Sequence, residues 1–405
     1  MGLPLIVASQ FDNNSINKMK RYRLWIFLAI SATYMVSYFH RAAPAVVGPE
    51  ILKEFDLAST ALGFMGSMYF WAYAASALPA GILSDTWGAR KTITAFVFLA
   101  GIGGFIFALA PNLMFMSVGR FVIGFGVGVV YVAAMRILSD WYRPDEIATY
   151  SGILLAVGNF GALISTTPLV FMMEHFGWRN SFSLVAGLTI IASVVAYIII
   201  RNKPAEMQLP TPEDIMGLHH GLSTSRVSLT EAVGVVFGKK KFYLLGLLLF
   251  SSYGTFMGVG SLWAGPYLQD VYDVTKQVAG NILMMFPIGM IISCPLWGYI
   301  SDKILKSRKK VLLWGALLHT LCYIPLIFFN ANIAHTMLYV LFFYYGLSGG
   351  AFYQYIMGTL INLYPRLPSG AYSTAAYQTA FIMPFCGLLL GIVAFAFFKE
   401  EPNNL

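Results

Sequence analysis

The chain is cut by short polar breaks into apolar runs, at 24–48, 59–83, 92–110, 113–138, 147–172, 180–200, 242–268, 278–300, 311–330, 335–363 and 370–398. At 1.5 Å rise per residue, about 20 apolar residues cross the ~30 Å hydrocarbon core of a bilayer as a helix. Inside lipid every backbone N–H and C=O must be bonded within the protein, which leaves helices and closed barrels. The short alternating strands of a transmembrane barrel are absent from the sequence. Charged residues make up 11% of the chain, against about 25% in soluble domains, and the mean hydropathy is +0.69. A soluble globular fold is excluded. The expected fold class is an all-α integral membrane protein with 11 apparent transmembrane helices: six, a polar linker, then five.

The net charge of +8 invites a nucleic-acid reading, but its distribution answers otherwise. With the N-terminus placed inside, 19 cations fall in inner segments, 4 in outer ones, and Arg41, Arg120 and Arg136 lie within spans. Positive-inside bias of this size orients a polytopic chain, so no nucleic acid is needed to explain it. The expected organisation is a cytoplasmic tail over 1–23, a six-helix bundle over 24–200, a cytoplasmic linker over 201–241, a second bundle over 242–398 with five apparent helices, and a tail over 399–405. Lys18, Lys20, Arg21 and Arg23 precede a full-length span rather than a cleavable signal. In the linker, 228–237 is amphipathic, read either as a surface helix or as a solvated tether. Cys294, Cys322 and Cys386 all lie in apolar runs, where inert buried thiols are the expectation. No Cys/His cluster implies a metal, and no nucleophile–base pair or phosphate loop implies an enzyme.

Between the second and third runs lies Gly81-Ile-Leu-Ser-Asp85-Thr-Trp-Gly88-Ala-Arg90-Lys91. Gly88 makes a tight turn, Asp85 ends one helix, and Arg90 and Lys91 open the next. The stretch recurs in the second half as Gly298-Tyr-Ile-Ser-Asp302, again followed by cations. Phe125-Gly-Val-Gly128 leading to Trp141-Tyr142 recurs loosely as Tyr345-Gly-Leu-Ser-Gly-Gly350 leading to Leu363-Tyr364. Internal repeats of this kind mark secondary transporters.

Gly81–Lys91, Arg120-Phe-Val-Ile-Gly124-Phe-Gly126-Val-Gly128 and Gly177-Trp178-Arg179 together resemble the major facilitator superfamily over nearly the whole chain. Tyr38-Phe-His40-Arg41-Ala-Ala-Pro44 and Trp263-Ala-Gly-Pro266-Tyr-Leu268 are similar to its organic-anion and sugar-phosphate group. The resemblance implies two pseudo-symmetric six-helix bundles around a central cavity, alternating access by rocking, and an inner-face latch. In that latch the acid at Asp85 would engage the partner bundle near the start of the eleventh helix. Gly81, Gly88, Arg90, Lys91, Asp140 and Asp302 belong to the same expected device.

An ionised side chain at mid-membrane costs about 2.5–3.5 kcal/mol on insertion scales, so it marks a pathway. The acids fall in tails, linker, loops or span ends, which makes the expected cavity positive. Arg41 is the leading substrate-site residue: its planar fork suits carboxylate or phosphate, and helical spacing sets Tyr34 and Tyr38 on its face. Tyr131, Arg136, Trp263, Tyr353 and Gln354 complete the substrate-binding set, with Tyr69, Trp71, Tyr73, Tyr253 and Tyr355 as further candidates for lining. His40 is read as a proton carrier or as a packing histidine, and Arg120 as a coupling or a structural residue. Arg136 also stands at i−4 from Asp140 and could pair with it. Asn159 and Gln378 are polar span residues open to either reading.

From Tyr142 to Ile200 the first half spends 59 residues, whereas Tyr364 to Phe398 is 35. The shortfall is about one spanning helix, so the family's eleventh helix is expected to be absent. The functional expectation is a secondary transporter of a small polar organic anion or zwitterion, such as an organic acid, phosphate ester or amino acid. Protons are the expected coupling ion and lipid the surrounding partner; no cofactor is expected. A monomer in a bacterial-type inner membrane, N-terminus cytoplasmic, completes the picture. The alternatives are efflux of an amphipathic metabolite or drug, and a transporter-like sensor or inactive variant.

Overall fold

A computed structural model describes residues 12–57, 59–216, 264–300 and 333–347, with single residues between 304 and 325. These residues form helices and connecting turns, with no strand among them. The expectations at Trp263, Tyr253, Asp302, Tyr353, Gln354, Tyr355, Gln378, Cys386, the linker segment 228–237 and the absent eleventh helix lie outside the described residues.

The first expected run is two helices. α1 (Asn13–Ala42) starts at Asp12, whose carboxylate accepts the Ser15 N–H at 2.9 Å, a standard N-cap. α2 (Pro44–Glu54) follows across Ala43, which keeps helical dihedrals (φ −53°, ψ −32°); the ladder is interrupted there because Pro44 has no N–H to continue it. α3 (Ser59–Leu83) matches its expected span. A π turn over Ser84–Gly88 leads into α4 (Ala89–Ala108). Gly88 sits at φ +93°, a conformation that side chains with a Cβ rarely adopt.

The fourth run is also broken, into α5 (Leu113–Val127) and α6 (Val130–Trp141), across Gly128 and Val129. α7 (Pro144–Ile164) ends earlier than the fifth run because Ser165 and Thr166 leave helical geometry. α8 (Thr167–Ile199) then carries the reversal between the expected fifth and sixth spans at Gly177, φ +74°. After α9 (Pro212–Met216) and the linker come α10 (Ala264–Tyr272), α11 (Lys276–Tyr299) and a helix over 335–347.

α4 packs on α5 and α8, α3 on α5, and α1 on α7. Backbones meet where a helix has no side chain: a Cβ at Gly124 would overlap the Tyr69 carbonyl, and one at Gly161 the Met35 carbonyl. Such small-residue contacts drive helix association where lipid removes the usual hydrophobic incentive. On α8, Leu184, Leu188, Ile191, Val195 and Ile198 form an exposed apolar stripe, the face expected toward acyl chains. Four helical stretches among the described residues are long and apolar enough to cross a membrane.

Two cores result. One contains only residues from α1, α4, α6, α7, α8 and the start of the linker, including Ile26, Ile93, Leu138, Trp141 and Leu154. The other joins the first half to the second, setting Val46, Met65 and Leu169 with Leu268, Leu283, Phe286 and Tyr345.

Candidate functional site

Arg41 lies one residue before the end of α1 and is buried. Its guanidinium carbon is 4.6 Å from the Tyr38 ring centroid and 4.8 Å from that of Tyr73 on α3. A desolvated cation between two rings gains about 2 kcal/mol or more from such contacts. The Tyr34 hydroxyl donates to the Tyr38 hydroxyl at 3.2 Å, and the Tyr34 ring lies 5.6 Å from Tyr131 on α6. Helical spacing therefore did place Tyr34, Tyr38 and Arg41 on one face. Tyr69 stacks on Tyr73 at 6.1 Å and lies within hydrogen-bond and electrostatic reach of Arg41. The result is a cation in a tyrosine-walled setting deep in the span, suited to an anionic group that also offers oxygen acceptors.

His40 points elsewhere. Its Nε2 is 3.0 Å from the Thr189 hydroxyl on α8. That hydroxyl also lies 2.8 Å from the Val185 carbonyl, to which it can donate, an arrangement that suits the tautomer with its proton on Nε2. Nδ1 has no partner. Arg120 on α5 is buried, donates Nη1 to the His40 carbonyl at 2.7 Å, and covers the Tyr69 ring at 4.5 Å. Asn159 bonds the Leu155 carbonyl of its own helix at 2.9 Å, a packing role, and Trp71 is partly exposed.

Arg136 sits apart from the tyrosines. Its Nε is 3.5 Å from Asp85 and 3.5 Å from Asp140, so the geometry joins it to the loop signature. Around this pair, at what we call the Gly88 end, other groups tie the helix ends together. Arg90 donates its backbone N–H to the Asn202 side chain at 2.9 Å and its Nε to the Tyr197 carbonyl at 2.9 Å. Tyr22 donates to the Ile199 carbonyl at 2.7 Å, Trp141 to the Arg201 carbonyl at 2.9 Å, and Tyr142 to the Arg23 carbonyl at 2.9 Å. Arg23 grips Glu146 with both nitrogens, at 2.8 and 3.0 Å. Partial burial alone would raise the Glu146 carboxyl, but the Arg23 hydrogen bonds and the Arg143 N–H outweigh it and hold it below the usual carboxylate range.

The opposite, Glu54 end holds contacts that sequence reasoning missed. Trp178 donates to Glu54 at 2.6 Å, and Arg179 bonds both Glu54 and the Ala110 carbonyl. Polar and glycine contacts here also cross between the halves. Lys276 pairs with Glu50, Thr167 donates to Asn281 at 2.7 Å, and a Cβ on Gly265 would overlap the Ala45 carbonyl oxygen. Partners 114 and 226 residues apart leave no local spacing to read. One signal was available: Pro49 denies Ala45 its helical donor, which exposes the carbonyl that Gly265 meets.

The described helices are those of a multi-pass membrane protein. The family model for the Major Facilitator Superfamily matches residues 30–388, and the chain belongs to that superfamily. Among curated relatives, a probable hexose phosphate transport protein of Chlamydia trachomatis is 23% identical over 72% of this chain and 67% of its own length. The probable sulfoacetate transporter SauU of Cupriavidus necator is 24% identical over 67% of this chain and 63% of its own. The membrane sensor protein UhpC of Salmonella typhimurium is 23% identical over 71% and 67%. The chain thus spans about two thirds of the length of these relatives. A crystal structure of a bacterial homologue of the human lysosomal transporter Spinster, inward-facing and unoccupied, aligns with a TM-score of 0.65 at 17% identity, covering 91% of this chain and 80% of that one. It shares the fold.

Proposed function

We propose that the protein is a secondary transporter of a small organic anion, working by alternating access, with Arg41 as the anchor for the anionic group. The observation that carries this reading is Arg41 itself, a buried cation between Tyr38 and Tyr73 deep in the first span. The hexose-phosphate and sulfoacetate names of the relatives support the same chemistry, an oxyanion on a polar carbon skeleton. Tyr34 and Tyr131 extend the proposed site. Trp263, Tyr353 and Gln354 would supply its second half.

Contacts at the Glu54 end close that end between the halves, so we propose access to Arg41 from the Gly88 end. By the distribution of cations the Gly88 end is cytoplasmic, in a bacterial-type inner membrane. Protons are the proposed coupling ion. The bare Nδ1 of His40 is the position a carried proton would take; Arg120 and Arg136 are already engaged, with the His40 carbonyl and with Asp85 and Asp140. The proposed unit is a monomer with two bundles, 24–200 and 242–398, and the Asp85 latch would operate between them.

Uptake of glucose 6-phosphate and sulfoacetate into proteoliposomes, with and without an inward-acidic gradient, tests the reading. Uptake lost in Arg41→Ala and gradient dependence lost in His40→Gln are the expected results; transport unchanged by Arg41→Ala would overturn the anchor. A second reading, a membrane sensor, is favoured by the likeness to UhpC. Binding of the same anions without counterflow would select it.

A further inference from the structure

α1 breaks one residue after Ala42, and the break has a chemical address. The Phe39 carbonyl receives the Ala43 N–H at 3.0 Å. The next carbonyl, that of His40, would take the N–H of residue 44, and Pro44 has none. A buried carbonyl left in that state costs about 1–3 kcal/mol. Arg120 fills the gap from α5, with Nη1 at 2.7 Å. The charge-assisted bond suits a cation that has no carboxylate partner among the described residues.

The carbonyl that Arg120 holds is the one joined to the Arg41 nitrogen. Arg120 also lies over Tyr69 at 4.5 Å, Tyr69 stacks on Tyr73, and Tyr73 forms one wall of the Arg41 sandwich. Both routes end on the same guanidinium, one through the backbone and one through the rings. Arg120 itself is buried, and its Nη1 is already committed to the His40 carbonyl. We propose that Arg120 is a positioning residue: by capping the carbonyl that Pro44 leaves open, it fixes the helix break and holds Arg41 between Tyr38 and Tyr73. This rests on the reading of Arg41 as the anion anchor and supplies the device that aims it.

The test uses the purified full chain and phenylglyoxal, which modifies guanidinium groups, with labelling of each arginine followed by peptide mass spectrometry. Arg179, at the Glu54 end, is the internal control. Arg120→Met is expected to raise Arg41 labelling several-fold with Arg179 unchanged. Arg120→Lys, which still offers a charged donor to the carbonyl, should return Arg41 toward the wild-type rate. Pro44→Ala restores the helical donor and displaces Arg120, so it should also release Arg41, and Arg120→Met added to it should change little. Wild-type labelling of Arg41 at both sites of the pair, additive effects of Pro44→Ala and Arg120→Met, or a parallel rise at Arg179 would each overturn the proposal. Protection of wild-type Arg41 by glucose 6-phosphate, sulfoacetate or inorganic phosphate is read separately. Its absence removes the anion anchor, while the variants still decide the positioning claim.

Discussion

The two ends of the molecule are held together by different means. Among the described residues, the bonds at the Gly88 end stay within the first half. Tyr22 and Arg90 donate to the Ile199 and Tyr197 carbonyls in the last turn of α8, Trp141 to the Arg201 carbonyl just beyond it and Tyr142 to the Arg23 carbonyl within α1, and Arg23–Glu146 and Arg136–Asp85 add charge pairs. Because a helix end has four carbonyls without internal donors, the bonds to Tyr197 and Ile199 both satisfy and locate the α8 terminus. At the Glu54 end, beside the shared apolar core, described polar and glycine contacts also cross between the halves, among them an ion pair, a hydroxyl–amide bond and the Gly265 contact. A bundle braced within itself and meeting its neighbour across a shared apolar core and a few polar contacts can move as a rigid body where that interface opens.

The comparison breaks most severely at Gly265. Gly265→Ala places a methyl group against the Ala45 carbonyl; overpacking of this kind costs about 1–3 kcal/mol, and here it falls wholly on closure between halves. Disulfide formation between Thr167→Cys and Asn281→Cys should fall sharply in the Gly265→Ala background, while the thermal midpoint of the isolated contacts at the Gly88 end, read by exchange of the α8 terminal amides, stays put. Charge reversal comes next. Glu50→Lys should lower the same cross-linking, and the double exchange with Lys276→Glu should restore it; the pair is partly exposed, so about 0.2–1 kcal/mol is at stake.

At the Gly88 end, Glu146→Gln probes the lock by pH. The folded carboxyl lies below its ordinary range, so its contribution is present above the unfolded value and fades as pH falls through the folded one. The midpoint gap between wild type and Glu146→Gln should be open at neutral pH and close on acidification. Asp85→Asn should have the smallest effect on stability, about 0.2–1 kcal/mol, since the ion pair is about one-third exposed; an effect on cross-linking at the Glu54 end would show that the loop also acts at a distance.

The membrane class, the second and third spans and the Gly88 turn were legible in the sequence because each has a local signature: run length, hydropathy, and a glycine flanked by charge. Tyr34, Tyr38 and Arg41 were legible as a set because they share a helix face. What could not be read was which carbonyls stood open to other helices. Arg136 was expected to join Arg41 in the substrate-binding set or to pair with Asp140, and the approach of Asp85 from another element sets it with the loop. His40 adjoins Arg41 in sequence but turns toward Thr189, since successive helical positions are about 100° apart. Pro44 and Pro49 did carry information, four residues back, at His40 and Ala45. Their partners Arg120 and Gly265 are set by packing alone.

The reversal at Gly177 has a consequence of another kind. From Trp178 to Ile199, α8 runs without a break for roughly 33 Å at 1.5 Å per residue. One end is pinned by Trp178 to Glu54, and the other by Tyr22 at the Ile199 carbonyl. A helix fastened at both ends cannot trade tilt for length freely, so the apolar stripe between them acts as a ruler. The protein is thereby matched to hydrocarbon of about 30 Å, and bilayers much thinner or thicker must deform around it.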